Sequence, residues 1–213
     1  MPLAVDRYEL GPIGTNCYVV RAERGAPEAV VVDPGADAAD LRLQLARAGA
    51  RCAAILVTHS HWDHIGAVGD LAEGTGATVY APGAEAEVLE RADEMFASAG
   101  VRIRPVTAAV WLAGDETVHA AGISFETLLV PGHSPGHIAF HADGALFSGD
   151  VLFAGGVGRT DLPGGDWEAL VSSIRALGDR LPPDTVVYPG HGPPTTLGDE
   201  LARNPFLSEL RAS

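Results

Sequence analysis

The chain has 213 residues, 46% hydrophobic and 20% charged, an ordinary balance for a globular protein that builds its core without staples. Its 28 acidic residues outnumber its 14 basic ones, for a net charge of −14. With the basic residues scattered rather than striped, this charge disfavours both a nucleic-acid groove and docking on an anionic membrane, so the acidity reads as a solubility device.

The chain opens with short strands rich in β-branched and aromatic residues: YEL at 8–10, NCYVV at 16–20 and EAVVVD at 28–33, separated by Gly/Pro turns. A helix is predicted from Asp37, with Leu41, Leu45 and Ala48 on one face, Leu43 off it, and Gly49 ending it. The continuous apolar run CAAILVT at 52–58 suits a strand buried on both faces. A helical segment after His61 to about Leu71, a strand TVYA at 78–81 and a helix over about 84–98 follow. The second half changes character. VTAAVWL, ETVHA, ISFETLLV, HIAFHA and ALFSGD are closely spaced short strands with Gly/Asp turns, the pattern of an antiparallel meander. A helix over about 166–178, a buried strand TVVYPG at 185–190 and a last helix near 198–203 close the series. Two sheets stacked face to face with helices outside fit this inventory, although pattern alone leaves other α/β layouts open.

No repeat or linker marks a boundary, so residues 1–213 are expected to form one domain. Cys17 and Cys52 lie in apolar strand-like runs and read as buried small hydrophobes. The first residues lack a secretory signal pattern, and no apolar run is long enough to span a membrane, which predicts a cytoplasmic location.

The strongest local signal is Thr58-His59-Ser60-His61-Trp62-Asp63-His64, between a buried strand and a helix. A strand end of this kind projects side chains into the crevice where open α/β sheets bind ligands. Imidazole and carboxylate together suit zinc, iron or manganese. Adjacent Asp63 and His64 must point differently from His59 and His61, which suggests two neighbouring metal positions. Three more strand ends carry ligand-type residues beside Gly or Pro: His133 and His137 in PGHSPGH, Asp150 in SGD, and His191 in YPGHGP. His137 reads either as a group that orients a ligand or as part of a capped turn. His119 and His141 read as ordinary surface or core histidines.

The run THSHWDH resembles the H-x-H-x-D-H signature of the metallo-β-lactamase superfamily, and PGHSPGH, SGD and YPGHGP resemble its remaining motifs, in order. GTNCYVV and VVDPG are similar to its N-terminal segments. Within it, the stretches around Gly149–Gly155 and Gly158–Asp166, with the closing Asn-Pro-Phe-Leu at 204–207, most resemble the short single-domain branch of the glyoxalase II-like, or hydroxyacylglutathione hydrolase, group. The resemblance implies an α/β fold of four layers, an αββα sandwich of two mixed sheets flanked by helices. It implies two divalent metal ions, zinc foremost and iron or manganese as alternatives. His59, His61 and His133 would hold the first, Asp63, His64 and His191 the second, and Asp150 would bridge them.

The function implied is metal-dependent hydrolysis of a small-molecule thioester, such as a hydroxyacylglutathione, by a metal-bound hydroxide that Asp63 orients. Arg159 is a candidate for recruiting an anionic substrate, against the alternative of an ion pair with Asp161 or Asp166. Trp62 either lines the mouth of the site or caps the core. Complete glyoxalase II enzymes grip glutathione with a basic C-terminal helical domain. Only Arg203 and Arg211 follow His191 here, so the grip is expected to be missing or different. The rival within the superfamily is a mononuclear iron persulfide dioxygenase using His59, His133 and Asp150, which tends to carry Asp where this chain has Gly192. A lactonase, a β-lactamase and a non-enzymatic metal-binding protein complete the alternatives. The sequence is silent on oligomeric state.

Overall fold

The computed structural model describes residues 2–211, with the side chains of residues 99 and 209–211, Arg211 among them, outside the described part. The first sheet is built from β1 (Ala4–Leu10), β2 (Thr15–Arg21), β3 (Glu28–Val32), β4 (Arg51–Leu56), β5 (Thr78–Pro82) and β6 (Ala109–Leu112), in that spatial order. The first three strands pair antiparallel and the last four in parallel. Between β3 and β4 runs α1 (Ala38–Arg47); between β4 and β5 run α2 (Trp62–Ile65) and α3 (Val68–Thr75). After β5 come α4 (Ala86–Glu90) and α5 (Ala92–Met95).

The second sheet uses β7 (Thr117–Ala120), β8 (Ile123–Leu129), β9 (Ile138–Ala142), β10 (Ala145–Gly149), β13 (Val186–Pro189) and β14 (Thr195–Thr196). Its order is β14-β13-β10-β9-β8-β7. A small hairpin, β11 (Leu152–Phe153) with β12 (Gly156–Val157), hangs from the end of β10. Helices α6 (Trp167–Arg180) and α7 (Leu197–Arg203) cover the outer face of this sheet.

Period-2 alternation along each strand builds the layers. On β3, Val30 and Val32 face the other sheet, while Ala29 and Val31 face the helices. On β4, Ala54 and Leu56 join the space between the sheets, while Ile55 and Val57 pack with Leu41, Leu45 and Leu71 of α1 and α3. On β10, Phe147 points inward, and Leu146 points out to Leu170, Ile174 and Leu177 of α6. The result is the expected four-layer αββα sandwich. The β9–β10 hairpin closes through Asp143-Gly144, both at positive φ, a turn whose twist matches the strands.

Several sequence expectations need correction. Residues 106–112 do not begin the meander: β6 starts at Ala109 and pairs in parallel with β5 in the first sheet. The second sheet is mixed, as the fold class implied, because β13 pairs in parallel with β10. The predicted helix after His61 to about Leu71 is two helices, broken at Ala67, where the backbone leaves helical geometry (φ −112°, ψ 1°). The predicted helix over 84–98 breaks at Arg91 (φ −120°) into α4 and α5. The hairpin β11–β12 and the strand β14 are too short to leave a periodicity signal. The expectations for α1 and for both cysteines hold: Leu41 and Leu45 are buried, Leu43 is exposed, and Cys17 and Cys52 are buried free thiols.

Candidate metal centre

One edge of the sandwich gathers the ends of strands from both sheets. Asp33 follows β3, His59 follows β4, His133 follows β8, Asp150 follows β10 and His191 follows β13. This is the edge where ligands bind in open α/β sheets, because side chains there leave the strand ladder without a partner strand.

His59, His61 and His133 bring one ring nitrogen each to within 4.8 Å of one another. His61 Nδ1 stands 3.1 Å from His59 Nε2 and 2.8 Å from His133 Nε2. The rings' other contacts settle which nitrogens face inward as lone pairs. His133 Nδ1 lies 2.8 Å from the carbonyl of Arg159, which only accepts, so Nδ1 carries the proton. The Thr58 hydroxyl donates to Asp33 Oδ2 at 2.7 Å, so it accepts from His59 Nδ1 at 3.0 Å. Nε2 of both rings is then a lone pair in the neutral imidazole. Three converging nitrogens with room for at most one proton are poorly satisfied by one another and well satisfied by a cation. Burial and the surrounding imidazoles, His64 foremost, push His59 well below the ordinary histidine range. Burial and then His133 push His61 down to about 4. Both rings are therefore neutral and ligand-ready at pH 7.

A second cluster lies beside the first. His64 Nδ1 donates to Asp33 Oδ2 at 2.9 Å, which turns its Nε2 toward Asp63 Oδ2 and Asp150 Oδ1, each at 3.3 Å. His191 Nε2 lies 3.4 Å from Asp63 Oδ2 and 3.6 Å from Asp150 Oδ2. Asp150 Oδ2 is also 3.5 Å from His133 Nε2, so this one carboxylate touches both clusters. His64 Nε2 and Asp150 Oδ1 are buried without a hydrogen-bond partner, the condition expected of atoms arranged for an ion. Burial would raise the Asp150 carboxyl, but His64 outweighs it and holds the group well below the usual carboxylate range. Burial likewise opposes ionisation of Asp63, and its contacts with His191, His64 and Thr15 outweigh it. A side chain at Gly190 would collide with Asp150 Oδ1 and His64, so only glycine lets the His191 loop come this close.

Supporting residues come from distant parts of the chain. Asp33 accepts from Thr58 N–H at 2.8 Å as well as from the Thr58 hydroxyl and His64. The Thr15 hydroxyl donates to Asp63 Oδ2 at 2.7 Å. Asn16 donates to the carbonyls of Pro189 at 2.8 Å and Gly192 at 2.7 Å, clamping the His191 loop from the opposite sheet. Thr15, Asn16 and Asp33 lie in the segments GTNCYVV and VVDPG, where residue type alone does not mark their role. Asp33 ending the buried strand EAVVV was the one available signal.

The other residues singled out in the sequence lie around or away from these clusters. His137 stacks on His59, ring centroids 4.7 Å apart, and its Nε2 accepts from Asp150 N–H at 3.1 Å, so it braces residues of the clusters rather than capping a turn. His119 and His141 sit apart, beside Ser124 and Glu126. Trp62 packs on the core between the first sheet and its helices. The Arg159 guanidinium makes two contacts of 2.7 Å with exposed Asp161, and its carbonyl accepts from His133. Asp166 instead caps α6 through Ala169 N–H. Arg203 lies beside Asp199, 3.4 Å away.

The model of the metallo-beta-lactamase superfamily matches residues 10–191, a span that holds every residue of both clusters. The chain belongs to that superfamily. A relative in Haemophilus influenzae, the hydroxyacylglutathione hydrolase GloC, is 38% identical over 91% of this chain and 92% of its own. The structure of the B3 metallo-beta-lactamase BLEG-1 is 39% identical, with a TM-score of 0.87 over 96% of this chain and all (100%) of its own. That of TTHA1623 in a di-iron-bound form is 42% identical, with a TM-score of 0.84 over 95% of this chain and 100% of that one. As a superfamily member the chain has the αββα fold, and no helix among its described residues is long and apolar enough to cross a membrane.

Proposed function

We propose that this protein is a metal-dependent hydrolase that cleaves a small-molecule thioester such as a hydroxyacylglutathione. The observation that carries the reading is the sharing of Asp150 between two ligand clusters. In this reading His59, His61 and His133 hold one divalent ion, Asp63, His64 and His191 hold a second, and Asp150 lies between them. Zinc is the first candidate, with iron or manganese next. The names of GloC and of the di-iron TTHA1623 support the substrate class and the two-metal count.

Divalent ions bound here would bring a coordinated water's pKa toward neutrality and polarise the substrate carbonyl. Asp63, aimed by Thr15, orients the attacking water by accepting its hydrogen bond. His133 and His64 keep their ligand nitrogens turned inward through Arg159 O and Asp33. A thiolate departs without a proton, so no further acid is asked of the protein. Arg159, exposed and paired with Asp161, remains the candidate for recruiting an anionic substrate, because an exposed ion pair of this kind is weak. The same reading takes residues 1–213 as one domain working in the cytoplasm, without a nucleic-acid or membrane partner.

The mononuclear dioxygenase reading would leave Asp63, His64 and His191 without purpose, yet those three converge within 4.8 Å. The test is to purify the protein without added metal, measure metal per chain, and assay it twice. Near two metals with hydrolysis of S-D-lactoylglutathione, lost in Asp63→Ala, is the expected result. One iron with persulfide-dependent oxygen uptake would overturn it, and so would β-lactam or lactone turnover without thioester cleavage.

A further inference from the structure

Glu85 is a buried carboxylate that the proposed reaction does not use. It ends a 3₁₀ turn, Gly83–Glu85, directly after β5. Its Oε2 accepts from Ser60 N–H at 2.7 Å, and its Oε1 accepts from the Ser134 hydroxyl at 2.5 Å and from Gly136 N–H at 2.9 Å. Ser60 lies between His59 and His61, and Ser134 follows His133. One carboxylate thus ties together the two loops that supply the three-imidazole cluster.

Those loops leave different sheets. The His59–His61 loop follows β4 of the first sheet, and the His133 loop follows β8 of the second. The cluster forms only while the two keep register across the gap. A backbone hydrogen bond from Ile138 N–H to Thr58 O, 2.8 Å, joins the sheets just before His59 on one side and just after the His133 loop on the other. Glu85 joins them within the ligand loops themselves. Hydrogen bonds to an ionised acceptor are about twice as strong as neutral ones. A charge buried this deeply tolerates little displacement of its donors. Gly136 is shaped to the same contact: a Cβ there would stand 2.9 Å from Glu85 Cγ and from Ala84 Cβ.

We propose that Glu85 is a positioning residue that sets the separation of the His59–His61 and His133 loops, and thereby the metal affinity of the three-imidazole position alone. The inference rests on the metal-centre reading above. Glu85→Gln tests it, because the glutamine keeps one oxygen for Ser134 and Gly136 but turns an N–H toward the Ser60 N–H. The substitution is made in His191→Ala, which leaves the three-imidazole position intact, and in His133→Ala, which leaves the Asp63/His64 side. Zinc affinity is measured by chelator competition, with circular dichroism of the metal-free proteins to confirm folding.

The expected result is a loss of about ten- to hundredfold in the His191→Ala background and of less than about threefold in the other. Gly136→Ala, which crowds the carboxylate without changing charge, should show the same selectivity even if the glutamine variant folds poorly. Equal losses in both backgrounds, or unchanged affinity in the first, would overturn the proposal. Failure of the unsubstituted protein to take up zinc would instead overturn the metal-centre reading itself.

Discussion

Asp33 holds His64 from 31 positions away: its Oδ2 lies 2.9 Å from His64 Nδ1, and both side chains are buried. This contact decides which imidazole nitrogen faces Asp63 and Asp150. Asp33→Asn puts a neutral amide in place of the charged acceptor and weakens the fixing of that ring. Metal affinity at the position containing His64 is expected to fall about 10–100-fold, read by chelator competition. Unchanged affinity would show that the ring is held without Asp33.

Metal removal should cost stability. Each cluster gathers groups that a cation would satisfy and that otherwise face one another, such as the carboxylates Asp63 and Asp150 on either side of His64 Nε2. An ion present at about a hundred times its dissociation constant stabilises the folded state by about 2.7 kcal/mol. For a chain of this size that corresponds to a melting temperature lower by about 5–10 °C after chelation. Calorimetry with and without chelator checks this, and readdition of zinc should restore the higher value.

Glu116 provides a pH dependence away from the metal centre. Hydrogen bonds from Ala113 N–H above all, then from Gly114 N–H, the Thr127 hydroxyl and Asp115 N–H, pull its pKa from 4.5 to about 2. A folded-state pKa below the unfolded value means that the unfolded chain binds the proton first. The contribution of Glu116 is therefore complete above about pH 4.5 and is lost as the pH falls toward 2. Glu116→Gln should lower the urea midpoint at pH 7, and the gap from the unsubstituted protein should shrink at pH 3. A gap independent of pH would remove the carboxylate from the explanation.

Phe147 connects the two sheets. It meets Tyr18 of the first sheet edge-on at 5.5 Å and stacks on Tyr188 at 5.2 Å. It is fully buried, so Phe147→Ala removes dispersion contacts and leaves a cavity where the layers meet. The expected cost is about 3–5 kcal/mol by denaturant titration. A loss below about 1 kcal/mol would mean that the layers close over the gap.

The layer structure was largely legible in the sequence because burial on both faces marks a strand by an unbroken apolar run, as at Cys52–Val57, while one-face burial marks a helix by spacing, as at Leu41 and Leu45. Sheet membership was not. Whether residues 109–112 pair with β5 or with β7 depends on a parallel contact with a strand almost thirty residues back, and local pattern carries no information about partners.

The seven histidine and aspartate residues of the two clusters stood out, since imidazoles and carboxylates gather at four strand ends, at three of them beside glycine or proline. Glu85, Asn16 and Thr15 did not. Acids, amides and hydroxyls of their kind occur all along the chain, and their place at the centre follows only from where the two sheets bring them. The sequence by itself thus determined the chemistry available at this edge and the strands that present it. Only the tertiary structure decided which nitrogen each ring turns inward, that Arg159 pairs with Asp161, and which distant side chains brace the two clusters. The physical reason is that residue type sets what a group can bind, whereas orientation and pairing arise from contacts between segments far apart in the chain.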